Sequence, residues 1–159
     1  HTGNRLIEAR IASAQVGVAQ MVALQNHYNL MHRDEYEGDL AHVAAQQRLG
    51  VMPRFALASG FLTGKYRQKS DLAKGERGAE VARYLNRRGL RVLATLDTIA
   101  AAHGTSVASI ALAWLLTKPN VVAPVASASR PEQVRDLTAA AAVQLTRHQV
   151  SDLDRVSAG

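Results

Sequence analysis

An α/β fold built on parallel strands is predicted by two features of this chain. Three short apolar runs, 21–24, 51–56 and 121–126, read as buried strands, and segments with helical apolar spacing alternate with them. Such alternation implies parallel pairing and a layered architecture, either a doubly wound sheet or an arc of a (β/α) barrel. A complete eight-stranded barrel takes about 250 residues. With three strands in 159 residues, an arc would amount to roughly the later half.

The first element is a helix, with Leu6, Ile7, Ile11 and Ala14 at helical spacing, and after Gly17 the run Met21 to Leu24 is the first strand. Tyr36 to Arg48 predicts a helix with Leu40, Val43 and Ala44 on one face and Gly50 just past its end. Val51 to Ala56 follows as the second strand. The stretch from Ser59 to Gly89 is polar and rich in Gly, Lys and Arg, and is too long for a tight connection, which marks it as a ligand-contacting loop. Val92, Leu93, Leu96, Ile99 and Ala100 define a helix ending at Gly104. A second apolar helix carries Val107, Ile110, Ala111 and Trp114, with Trp114 assigned to the core. Val121 to Ala126 is the third strand. Ser129-x-x-Glu132 and Thr146-x-x-Gln149 have the form of capping boxes and open the last two helices.

Composition narrows the class. With 47% apolar and 20% charged residues, the chain is suited to a packed domain and not to disorder. The absence of cysteine excludes a disulfide framework, a cysteine nucleophile and thiolate metal sites. No run approaches the roughly 18 to 20 apolar residues of a spanning helix, and the opening residues are not a secretory signal, so a cytoplasmic protein without membrane partners is expected. The net charge of +6 is scattered along the chain, which argues against nucleic acid and fits a phosphorylated cofactor or a basic surface.

Three stretches choose between arc and open sheet: Leu24-Gln25-Asn26-His27-Tyr28-Asn29-Leu30, Leu57-Ala58-Ser59-Gly60-Phe61-Leu62-Thr63-Gly64-Lys65-Tyr66 and Ala128-Ser129-Arg130-Pro131-Glu132-Gln133-Val134. In this order and at these spacings they resemble the aldo-keto reductases, from the fifth barrel helix to the terminal helices. The resemblance implies a partial (β/α)8 TIM barrel, its last three strands with their helices, across residues 1–159. It also implies an NADP(H) cofactor and a carbonyl substrate reduced to an alcohol. The family's catalytic Asp, Tyr, Lys and His come from the earlier strands and have no counterpart here, so no catalytic residue is assigned and the lone chain is expected to be inactive.

The resemblance assigns Gln25 to the nicotinamide carboxamide, a role suited to a side-chain amide that both donates and accepts. Arg54 stands where the family places an aromatic residue against the nicotinamide, followed by Phe55 and Ala56. A guanidinium stacks on a ring, but its fixed charge beside the nicotinamide favours the reduced form of the cofactor. Leu57, Ser59 and Lys65 match positions lining the pyrophosphate, and Arg77 is matched, loosely, to a loop arginine over the adenine or pyrophosphate. Ser127, Ser129 and Gln133 match positions around the ribose phosphate, where a helix N-terminus favours an anion and Arg130 adds a charge-assisted contact to a 2′-phosphate. Asp136 replaces a Glu that binds the adenine amino group, and Leu137 replaces an Asn.

Other signals carry less. Gly60-x-x-x-Gly64-Lys65-Tyr66 is one residue short of a triphosphate-binding loop and has Tyr where Ser or Thr is required. His32-Arg33-Asp34 lacks the company of a kinase catalytic loop. No histidines pair as His-x-x-x-His, and no metal is expected. Two alternatives to a reductase part stay open. One is a noncatalytic dinucleotide- or partner-binding module, similar in scaffold to potassium-channel β subunits. The other is a half-barrel that self-associates through exposed edges.

Overall fold

The computed structural model describes every residue except His1 and Glu76, together with the side chain of Lys74. Its described elements are α1 (Gly3–Val16), β1 (Ala23–Leu24), α2 (Asp39–Gln46), β2 (Gly50–Val51), α3 (Gly78–Val81), α4 (Arg87–His103), α5 (Val107–Leu116), α6 (Pro131–Ala139) and α7 (Arg147–Ser157). The chain is thus α/β in type but mostly helical.

β1 and β2 are parallel, with Ala23 opposite Gly50 and Leu24 opposite Val51. The expected third strand is reduced to a parallel bridge between Val51 and Val121. The chain nevertheless runs beside β2: Val51 donates to the Asn120 carbonyl at 2.7 Å, Val122 to Val51 at 2.9 Å and Val125 to Pro53 at 2.7 Å. The order is therefore the first, second and third predicted strands side by side, as in a barrel arc. The ladders are shorter than predicted because Pro53 and Pro124 have no N–H to donate, and because Phe55 turns into the left-handed region at φ 55°.

α1 is capped by Thr2 and stopped by Gly17 at φ 74°. Its first residue donates to the Asp39 carboxylate at 2.9 Å, fixing α1 on the start of α2. The stop of α2 differs from expectation. Arg48, at φ 53°, takes the left-handed position, Leu49 donates back to Ala44 at 2.9 Å, and Gly50 belongs to β2.

The long polar stretch after β2 is not an open loop. Short 3₁₀ turns at Ala58–Thr63, Lys69–Lys74 and Ala82–Tyr84 flank α3, and Phe61, Leu62, Tyr66, Val81 and Tyr84 from it are buried. Apolar residues separated by polar ones still supply enough burial to fold it down.

α4 packs on α5 and α7. α5 is buried along nearly its whole length, and Trp114 is fully enclosed, as assigned from the sequence. Its indole N–H donates to Asp154 at 2.8 Å, and Lys118 reaches the same carboxylate at 2.6 Å, so α7 is tied to the end of α5. Among the described residues no single helix is long and apolar enough to cross a membrane.

α7 carries the predicted box, with Thr146 Oγ1 accepting from Gln149 at 3.2 Å and Gln149 Oε1 from Thr146 at 2.9 Å. The other predicted box is displaced by one residue. Arg130 is the N-cap of α6, Pro131 opens it, and Gln133 replaces Glu132 as the side chain that reaches back.

Candidate functional site

The sheet decides which of the assigned residues meet. Arg54 donates to the Asn26 carbonyl at 2.8 Å and Tyr28 donates to the Arg54 carbonyl at 3.4 Å. This pairing brings the segment after β1, with Gln25, beside the Arg54–Phe55 segment after β2. The bond from Val125 to Pro53 brings the segment that leads to Ser127 and Ser129 to the same end of β2, on its other edge. The first two stretches therefore lie together at the C-terminal ends of β1 and β2, and the third follows the segment that leaves the same end, where barrel folds build their sites.

Gln25 is exposed, in contrast to its neighbours Leu24 and Asn26, which are buried. The alternation of a strand points its amide to the open face. Arg54 and Phe55 are also exposed, and the guanidinium carbon lies 4.7 Å from the centre of the Phe55 ring. The arginine thus stacks on its neighbour.

Beyond Phe55 the backbone is strained. Ala58 at φ 49° and Ser59 at φ 55° are left-handed without being glycine, and Gly60 follows at φ 95°. Non-glycine residues held in this region cluster at ligand sites because the surrounding structure must pay about 1–3 kcal/mol for each. The Lys65 ammonium lies over this turn, 3.6 Å from where a Cβ on Gly60 would stand and 5.0 Å from the Tyr66 ring centre. A bare Gly60 face beside a cation suits a close-approaching phosphate. Ser59 is buried and Leu57 half-buried. Arg77 is exposed at the start of α3, next to Glu76, which lies outside the described residues.

At the third segment Gln133 Oε1 accepts from the Ser129 N–H at 2.9 Å, the Ser129 hydroxyl at 3.2 Å and the Arg130 N–H at 3.3 Å. Ser129 is therefore not the helix cap; its hydroxyl donates to Gln133 and keeps its acceptor side. Ser127, Arg130 and Asp136 are exposed. The Asp136 carbonyl accepts from the buried Ser109 hydroxyl at 2.7 Å, which anchors α6 on α5.

Two histidines were missed from the sequence. Asn29 and His32 exchange backbone hydrogen bonds at 3.1 and 3.0 Å, and this tight turn lays His32 back over His27, ring centres 3.8 Å apart. His27 lines a cavity of about 410 Å³ with Phe55, Ser59, Ala79, Glu80 and Arg83. Burial, together with His32, holds its imidazole down to about 4, so it is neutral at pH 7. A search for helical His-x-x-x-His spacing cannot find a pair joined by a turn; a five-residue interval around Asn29 was the available signal.

Residues 8–158 match the model of the Aldo/keto reductase family. The chain is 32% identical over 129 residues to an aldo-keto reductase of Babesia bovis, covering 77% of this chain and 45% of that protein. It is 28% identical over 138 residues to a probable voltage-gated potassium channel subunit beta of Oryza sativa subsp. japonica, covering 84% and 42%. It thus spans less than half the length of these relatives. With the family model matched along nearly the whole chain, from residue 8 to residue 158, the chain belongs to the aldo/keto reductase family.

Proposed function

We propose that this chain is the cofactor-binding part of an NADPH-dependent reductase that converts aldehydes or ketones to alcohols, and that the chain alone is inactive. The observation that carries this reading is the backbone pairing that brings Gln25 and the Arg54–Ser59 turn together at one end of the sheet, from which the chain beyond Val125 leads to Ser127 and Gln133. The cofactor, when bound, supplies hydride to the carbonyl carbon.

The residues fit such a group. The exposed Gln25 amide fixes a carboxamide in one orientation. The left-handed turn at Ala58–Gly60 and the Lys65 ammonium hold the pyrophosphate. Arg130 and the acceptor side of Ser129 serve a ribose 2′-phosphate, which favours NADP over NAD. Arg54 places positive charge near the nicotinamide and so favours reduced over oxidised cofactor. A proton donor for the carbonyl oxygen has no counterpart among these residues by the family resemblance.

The test is fluorescence titration of the folded chain with NADPH. Binding that weakens at least about 10-fold in a Gln25→Ala, Lys65→Ala double variant, a loss near 1.4 kcal/mol, supports the reading. A folded chain that leaves NADPH fluorescence unchanged at millimolar protein sinks it, and carbonyl reduction by the chain alone sinks the claim of inactivity.

A self-associating module is the second reading, favoured by Val22 and Val122, which stand 79% and 60% exposed at the sheet. Concentration-independent monomeric sedimentation would remove it.

A further inference from the structure

We propose that His27, His32 and Glu35 form a binding site for a first-row divalent metal ion of the zinc or cobalt type. One ligand atom from each, a ring nitrogen of either histidine and a carboxylate oxygen, lies within 4.8 Å of the other two. Two imidazoles and a carboxylate are a recognised donor set for such ions, with positions left over for water.

The turn makes the site. Reciprocal backbone bonds between Asn29 and His32 reverse the chain, and the buried Asn29 side chain accepts from the Met31 N–H at 2.8 Å, which fixes the reversal from inside. His32 Nε2 and Glu35 Oε2 are already 2.8 Å apart. The side chains of His32 and Glu35 are 37% and 42% exposed, so an ion in solution can reach them. His27 supplies the second, independent sign: its Nε2 is buried and has no hydrogen-bond partner. A buried polar atom without a partner is costly, and a coordinate bond to this ring would offset that cost.

The two imidazoles now lie nearly parallel, 17° apart. Ring lone pairs lie in the ring planes, so coordination requires the rings to turn about their Cβ–Cγ bonds and leave the stack. His27 also stands 5.0 Å from the Phe55 ring. Metal binding therefore moves a side chain that lines the cavity beside Phe55, and couples the ion to that end of the site.

The experiment is titration of the metal-free chain with Co²⁺, followed by visible absorption and by calorimetry. One ion per chain is expected, with ligand-field bands, and affinity falls at least about 10-fold in His27→Ala, in His32→Ala and in Glu35→Gln. Circular dichroism establishes that each variant is folded, and Glu35→Gln, at an exposed position, preserves the packing. His42→Ala and His148→Ala keep full affinity. Absence of Co²⁺ binding below about 1 mM, or unchanged binding in the folded Glu35→Gln and His32→Ala variants, overturns the proposal. Neither result depends on whether the chain binds NADPH.

Discussion

The Asn29 side-chain amide donates to the carbonyl oxygen of Phe55 at 2.8 Å, joining a fully buried residue after β1 to a left-handed residue after β2. Its oxygen accepts from the Met31 N–H, so one side chain holds both the turn and the kink. Replacement by alanine leaves two backbone groups without their partner. Asn29→Ala is expected to cost about 1–3 kcal/mol, seen as a lower urea midpoint at unchanged slope. An unchanged midpoint would show that the kink holds itself.

Arg48 takes a left-handed conformation at the end of α2, where glycine is favoured. Arg48→Gly is expected to raise stability by about 0.5–1 kcal/mol, since strain relieved in the folded state exceeds the added freedom of the unfolded chain. Thermal melting of the two proteins checks this, and a lower midpoint in the variant would mean that the arginine side chain contributes more than its strain.

Gly89 lets the start of α4 close on the preceding turn. A Cβ there would lie 1.9 Å from the Tyr84 carbonyl oxygen and 2.9 Å from Phe61. Gly89→Ala is expected to destabilise by about 1–3 kcal/mol although alanine is the better helix former. Denaturant unfolding of Gly89→Ala beside the exposed Leu90→Ala separates this clash from helix propensity.

Glu37 accepts from the Tyr28 hydroxyl at 2.7 Å and from Arg33 at 2.9 and 2.7 Å. Burial pushes its carboxyl up, but these hydrogen bonds outweigh it and hold the group below the usual range. The depressed value means that its contribution is complete above the unfolded carboxylate range and is lost as pH falls through the folded value. Stability measured from pH 6 to pH 3 should therefore fall more steeply in the wild type than in Glu37→Gln. Parallel curves would show that the pair does not couple to folding.

Much of the local structure was legible in the sequence. The helical faces of α4 and α5, the stop at Gly104, the enclosed Trp114 and the box from Thr146 to Gln149 each depend on residues within a few positions of one another. The ordered motifs also named the family, because three stretches at fixed spacing are hard to match by chance. Where the reading slipped, neighbours in space outweighed neighbours in sequence. Prolines shortened the strands, buried aromatics folded the polar stretch after β2, and the α6 cap moved from Ser129 to Arg130 once Gln133 reached back.

The sequence by itself determined the family and the helices α4, α5 and α7, since these follow from motif order, periodicity and capping chemistry, whereas Val22 and Val122, in runs read as buried strands, are exposed. Only the tertiary structure decided that Gln25 and Phe55 share one end of the sheet, that the backbone after β2 is strained, and that His27 meets His32 and Glu35. Those facts arise from interstrand hydrogen bonds and chain reversals, which join residues at separations that no local pattern encodes.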